Sequence, residues 1–214
     1  WLTLGRMCTN MRRAFDAPIA SAAGGLEGDS SLPILLSYAI GSVEVGDNGS
    51  AGGLIGDVGG SVSQSFATGK VKGGENSEVG GLVGSIGGTD EIDNSYATGS
   101  VKGGDFAIVG GLLGEVLEAH IKSSYSTGHV AGKESGGFLG DGRGETIFWN
   151  YWDTDTSGKP RRRGCGRGHC PQGIKGLTTE ELQSGLPEGF DPNIWSEKKN
   201  IHGGFPYLKA LPPK

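Results

Sequence analysis

Three groups of residues have the types and spacing to do chemistry. Cys165-Gly166-Arg167-Gly168-His169-Cys170 places two thiols and an imidazole in one short loop. Thiols this close can form a disulfide in an oxidising compartment, stay reduced, or join His169 and the distant Cys8 around a zinc ion, and the spacing leaves all three open. An odd total of three cysteines fits neither a disulfide-dense mini-protein nor an ordinary zinc site. Asp153-x-Asp155-x-Ser157-Gly158 reproduces the first half of a calcium loop, including the glycine at position six. Position twelve is Gly164 instead of the bidentate glutamate, so the expectation is no cofactor, with Asx turns holding a polar corner and calcium at Asp153, Asp155 and Ser157 as the alternative. Third, Asp57, Asp90, Glu91, Asp93 and Asp105 are the carboxylates from which an acid–base pair for glycan cleavage would have to come. They sit near turns, in columns that do not align between units, so solvation is their expected use and no catalytic residue is assigned.

Other catalytic signatures are missing. His120, His129, His169 and His202 lack the His-Glu-x-x-His neighbours of a zinc peptidase. There is no Gly-x-Ser-x-Gly elbow, and Gly69-Lys70, Gly132-Lys133 and Gly158-Lys159 are followed by Val, Glu and Pro rather than Ser or Thr. Gly140-Asp141-Gly142-Arg143-Gly144 reads as a turn.

The elements that carry these residues are set by an internal repeat. One aromatic register runs Tyr38, Phe66, Tyr96, Tyr125 and Trp152, separated by 27 to 30 residues. Its local strings are Ser37-Tyr38-Ala39-Ile40-Gly41, Ser65-Phe66-Ala67-Thr68-Gly69, Ser95-Tyr96-Ala97-Thr98-Gly99 and Ser124-Tyr125-Ser126-Thr127-Gly128. A second register is Gly53-Leu54-Ile55-Gly56, Gly81-Leu82-Val83-Gly84, Gly111-Leu112-Leu113-Gly114 and Gly137-Phe138-Leu139-Gly140, and a third holds Val62, Ile92 and Ile121. Each unit thus offers three short apolar segments bounded by Gly, Asp, Asn or Ser, which read as strands. One such unit cannot bury its apolar side alone, whereas units stacked coil on coil can.

The expected fold is therefore all-β: a parallel β-helix (β-solenoid), right-handed, of about four coils of ~29 residues. Tyr38, Phe66, Tyr96, Tyr125 and Trp152, with Leu54, Leu82, Leu112 and Phe138, are expected as inward ladders. Residues 1–36, where Glu27 spoils Gly25-Leu26-Glu27-Gly28, form a degenerate first coil or N-terminal cap. The solenoid covers 37–158, a basic cysteine-containing loop 159–175, and a small C-terminal cap 176–214. In that cap Thr178 and Glu181 make a capping box for one short helix at about 179–184, with Gly185 as its stop. Phe190, Trp195, Phe205, Tyr207, Leu208 and Leu211 then cover the exposed final rung.

The repeats resemble the GLUG family, named for its Gly-Leu-any-Gly motif, over about 37–158. The later strings Asn150-Tyr151-Trp152-Asp153-Thr154-Asp155-Thr156-Ser157-Gly158, Gly176-Leu177-Thr178-Thr179 and Gly204-Phe205-Pro206-Tyr207-Leu208 resemble the tail that closes such arrays. Phe138 replaces a leucine, and 159–170 looks like an insertion into that tail. The resemblance implies secreted or surface-anchored bacterial proteins, especially filamentous-haemagglutinin-like adhesins, in which the repeats are stalks or multivalent binding modules rather than enzymes. It also implies a second setting, as an accessory domain of immunoglobulin-cleaving metallopeptidases.

Composition bounds the partners. Glycine makes up 43 of 214 residues without a three-residue period, which excludes collagen. The net charge of −5 hides a strongly acidic body and a basic stretch, Lys159, Arg161, Arg162, Arg163 and Arg167. An acidic body disfavours nucleic acid, and no apolar run reaches the ~18 residues of a membrane helix. The expected partners are other domains of a longer chain and host or neighbouring-cell glycans or proteins, at the cell surface or outside the cell. The chain opens at Trp1 and reads as a fragment or processed product; Met11-Arg12-Arg13 resembles a signal-peptide start only superficially, because Asp16 and Pro18 interrupt the apolar run.

Overall fold

The computed structural model describes residues 21–143 and 146–213, together with the backbone strands Met7–Cys8 and Arg12–Ala14. The Met11-to-Pro18 signal reading and the side chain of Cys8 lie outside the described residues. The chain winds as an all-β parallel solenoid of about six turns. One turn shows the plan: strands Tyr96–Ala97, Val101–Lys102, Ile108–Gly110, Leu113–Leu117 and His120–Lys122. Each pairs in parallel with its counterparts one turn before and after, giving five sheets, here A to E in that order. Sheet A has seven strands and the others five. The three apolar segments read from each unit become five strands. Sheet B escaped notice because strands Val71–Lys72, Val101–Lys102 and Val130–Ala131 each contribute a single buried apolar residue.

The repeated string is explained residue by residue. Ser37, Ser65, Ser95 and Ser124 stack at the corner entering sheet A. Each hydroxyl donates to the carbonyl two residues earlier. The last three also accept the backbone N–H of the serine one turn before. Asn150 closes the column with its amide, so this polar line is satisfied throughout. Beyond the serine, strand alternation sends one side chain out and the next in. Ala39, Ala67, Ala97, Ser126 and Trp152 point into the lumen; Tyr38, Phe66, Tyr96, Tyr125 and Tyr151 point outward. Two expectations are corrected here. The aromatic ladder is an outer one, and its last member is Tyr151, because the fifth turn, from Tyr125 to Tyr151, is a residue shorter than the Trp152 spacing assumed.

Alanine is required inside because glycine faces it. A Cβ on Gly53 or Gly81 would lie 2.8 Å from the β carbon of Ala67 or Ala97. This waist divides the lumen into a lobe rich in Leu and Ile and a lobe of Val and Ala. Leu54, Leu82, Leu112 and Phe138 are fully buried in the first lobe, beside Ile34, Val62, Ile92, Ile121 and Ile147 of sheet E.

Both ends extend further than the motifs suggest. The strands from Met7 to Leu35 make a complete first turn, in which Glu27 pairs with Ile55. The stretch resembling an insertion is the sixth turn. Phe138 N–H donates to the Gly164 carbonyl as Leu112 N–H donates to the Phe138 carbonyl, and Leu139 bridges Cys165. Gly164 thus occupies the leucine position, and the Trp152 indole fills the vacated space: a Cβ on Gly164 would lie 2.7 Å from that ring. The expected turn at Gly140–Arg143 is instead part of strand Leu139–Arg143, paired to sheet D.

The C-terminal segment is not a lid on the last rung. After strand Ile174–Leu177 it turns back and runs along the outside of sheet A, past Tyr151, Tyr125 and Tyr96 to Tyr38. Two short helices brace its start, α1 (Thr154–Ser157) and α2 (Thr179–Leu182). The capping box at Thr178 and Glu181 is present, but α2 ends at Gln183, ahead of Gly185.

Candidate functional site

The outer face of sheet A and the strap of residues 178–213 form the most elaborate site. Rings Tyr38, Phe66, Tyr96 and Tyr125 stack with centroids 5.0, 4.8 and 5.2 Å apart, tilted by 12° or less. Stacked this way they hide their faces and offer only edges sideways. Phe190, Trp195 and Leu208 of the strap pack against those edges, and Tyr96 and Tyr125 are fully buried. Polar anchors fix the strap's position. Trp195 Nε1 donates to Asn94 Oδ1 at 2.9 Å, and Ser123 Oγ to the Gly189 carbonyl at 2.8 Å. Tyr125 OH donates to the Pro206 carbonyl at 2.6 Å and Tyr151 OH to the Glu188 carbonyl at 2.9 Å. Burial pushes the Tyr96 and Tyr125 phenols well above their ordinary value; for Tyr151 burial, helped by Glu188, raises it to about 12. All three hydroxyls keep their protons at neutral pH, and those of Tyr125 and Tyr151 donate to the strap. Burial lowers the His202 imidazole, opposed by its bond to the Pro206 carbonyl.

The calcium-like sequence serves the same strap. Asp153 caps α1: its Oδ1 accepts the N–H groups of Asp155 and Thr156, and its Oδ2 accepts the Thr179 hydroxyl at 2.7 Å. Asp155 accepts the Thr179 N–H, and Ser157 Oγ the Lys159 N–H. The carboxylates thus tie α1 to α2, and no cluster of three or more acidic, His or Cys ligands with metal-binding geometry occurs among the described residues. Cys165 and Cys170 are joined as a disulfide with Cα atoms 5.3 Å apart, closing the sixth turn.

Of the five carboxylates considered for acid–base work, Asp90, Glu91 and Asp93 lie on or just before one strand of sheet E, and the other two lie elsewhere. Glu91 and Asp93 project from sheet E, where Glu91 pairs with Lys122 at 2.5 Å. Asp105 sits at the turn between sheets B and C, 3.8 Å from Lys133. Asp57 does align, contrary to expectation, in an outer column of sheet D with Asp29, Ser85, Glu115 and Asp141. Burial, then Asp29 and Glu78, raise the Asp57 carboxyl. Burial, Glu78 and Asp141 raise Glu115, which also hydrogen-bonds Glu78. Carboxylates in a line along one sheet face can share protons, but a glycosidic bond needs a pair on its two sides. Glu78 and Glu115 escaped the sequence reading because Ser85 and Ile108 interrupt their columns.

Residues 75–102 match the family model described as the GLUG motif. That stretch carries one copy each of Gly-Leu-x-Gly (Gly81–Gly84) and Ser-Tyr-Ala-Thr-Gly (Ser95–Gly99). In this structure the GLUG residues are architectural: the leucine fills the lumen, the serine bridges turns, and the glycines admit close backbone approach. No curated protein and no solved structure matches the chain.

Proposed function

We propose that this GLUG-repeat solenoid is a non-catalytic segment of a secreted or cell-surface protein of adhesin type, acting as a stiff stalk and a repetitive contact surface. The observation that carries the reading is the repetition of exposed tips. Asp47-Asn48, Glu75-Asn76 and Asp105-Phe106 stack at the turn between sheets B and C. Asn48, Asn76 and Phe106 share a left-handed backbone, with φ of 56, 52 and 58°. Tips of one backbone shape, each led by an acidic residue, one strand spacing apart suit weak contacts made many times over, where avidity exceeds single-site affinity by about 10²–10⁴. That Asp57, Glu91 and Asp105 sit on sheet D, sheet E and the turn between sheets B and C supports a non-catalytic role.

The test compares the monomer with the same chain coated on beads, against host-matrix proteins and glycans. Bead retention at least about a hundredfold above monomer binding is expected. Release of reducing sugar or cleavage of a bound protein by the chain would overturn the reading, as would equal binding in both formats.

A further inference from the structure

The corner between sheets E and A holds a column in left-handed backbone: Leu36, Gln64, Asn94, Ser123 and Trp149, with φ from 46 to 55°. Asn94 and Ser123 use the corner to anchor the strap. Trp149, a bulky residue poorly suited to that conformation, does something different. One side of its indole lies on the Gly189 backbone, where a Cβ would come within 2.3 Å, yet the residue is 45% exposed. Beside it Phe148 is 54% exposed, ring centroids 5.9 Å apart.

This pair borders a cleft of about 550 Å³, within the size range of small-ligand sites. Thr146, Gln172, Lys175 and Glu188 share its lining. Gln172, Lys175 and Glu188 are exposed, and their side chains make no hydrogen bond or ion pair with any described residue. On the far side of Phe148, by contrast, Lys122 and Glu91 are spent on each other. An apolar floor ringed by a free amide, ammonium and carboxylate suits a ligand with apolar faces and many hydroxyls. An acyl chain would leave the charged rim unpaired, and a polyanion would meet Glu188. We propose that this cleft binds a short neutral oligosaccharide, with the C–H face of one pyranose on Trp149 and its hydroxyls bonded by Gln172, Lys175 and Glu188. The proposal deepens the contact-surface reading by giving it one defined saccharide site.

Trp149 is the exposed tryptophan among the described residues, Trp152 and Trp195 being buried, so its emission reports occupancy. The intact chain is titrated with cellohexaose, maltohexaose, chitotetraose, mannotetraose and a proline-rich peptide. A saturable emission change is expected with at least one saccharide, and by isothermal calorimetry the affinity for that saccharide is expected to fall at least tenfold in Trp149→Ala. The double variant Gln172→Ala/Lys175→Ala, which leaves the corner untouched, is expected to weaken it at least threefold with an unchanged Tm. No saturable response to any saccharide overturns the proposal. So does binding of the peptide alone, or emission that changes only with protein concentration, which marks self-association. None of these results bears on bead avidity, so the stalk reading stands or falls separately.

Discussion

Both faces of sheet A are dry over most of their length, the outer one opening towards Tyr38, and they are kept dry by different means. Inside, Ala39, Ala67 and Ala97 touch glycine backbone across the waist, so closure depends only on neighbouring turns. Outside, the aromatic column is covered by one unrepeated segment far away in the chain. The inner face is many copies of a local solution, and the outer face is a single long-range contact. A defect inside should therefore propagate through the stack, whereas a defect outside should release the strap alone.

The largest expected effect tests the inner face. In Gly81→Ala the new Cβ would sit 2.1 Å from the Gly111 carbonyl oxygen and 2.8 Å from the Ala97 Cβ. Both obstacles belong to hydrogen-bonded ladders and cannot swing aside. A loss on the order of 5 kcal/mol is expected, at the exceptional end for one substitution. In urea titrations, far-UV circular dichroism and tryptophan emission should be lost together. Separate transitions would mean that the waist does not unite the stack.

Trp195→Ala tests the outer face. It removes a fully buried indole and its bond to Asn94, for an expected cost of about 3 kcal/mol. The loss should be local. Hydrogen exchange should accelerate across 178–213 while amides of sheets B to E keep their protection. If those sheets lose protection as well, the strap is part of the solenoid's cooperative unit and the contrast fails.

What could be read beforehand follows the same division. Parallel stacking places like residue over like, so Tyr96 over Tyr125 and Ile92 over Ile121 were visible as spacings. The side each faces was not, because Tyr and Ala are both apolar and hydropathy does not separate them. Size does, once Gly81 is known to oppose Ala97. The sixth turn was hidden by a volume exchange, Gly164 for leucine and Trp152 for alanine, which erases the motif while keeping the packing. The pairing of Asn94 with Trp195, 101 residues apart, has no periodicity to betray it. The cleft beside Trp149 was equally silent, since its rim comes from three separate segments.

A smaller effect divides the aromatic ladder itself. The Tyr96 hydroxyl is buried without a hydrogen-bond partner among the described residues, whereas Tyr125 OH donates to the strap at Pro206. Phe66 already occupies the column without a hydroxyl. Tyr125→Phe should cost about 1 kcal/mol in strap docking, leaving a carbonyl poorly satisfied, while Tyr96→Phe should be neutral or stabilising. Equal losses in thermal melts of the two variants would show that stacking alone, without the anchors, holds the strap.

The smallest effect separates the faces by pH. His202 packs on Tyr96, centroids 5.0 Å apart, and on Phe205, with Nδ1 3.2 Å from the Pro206 carbonyl and 3.4 Å from Tyr125 OH. The carbonyl can only accept, so the docked imidazole carries its proton on Nδ1. Burial disfavours its charged form, so the released strap binds protons more readily than the docked one. Strap stability is therefore fully present above the ordinary histidine pKa of ~6.5 and is lost as pH falls through the lower folded value. The sheet D column runs the other way. Asp57 and Glu115 hold their protons more tightly in the fold, so their contribution is fully present below the ordinary carboxyl pKa of ~4 and is lost as pH rises through their raised values. Between pH 7.5 and 5, protection factors within 178–213, taken relative to the slower intrinsic exchange in acid, should fall slightly while the solenoid's Tm holds or rises. His202→Gln should abolish the first response and spare the second. A strap that tightens in acid would require a carboxylate facing the imidazole, whereas the groups it contacts here are the Tyr96 and Phe205 rings, the Tyr125 hydroxyl and the Pro206 carbonyl.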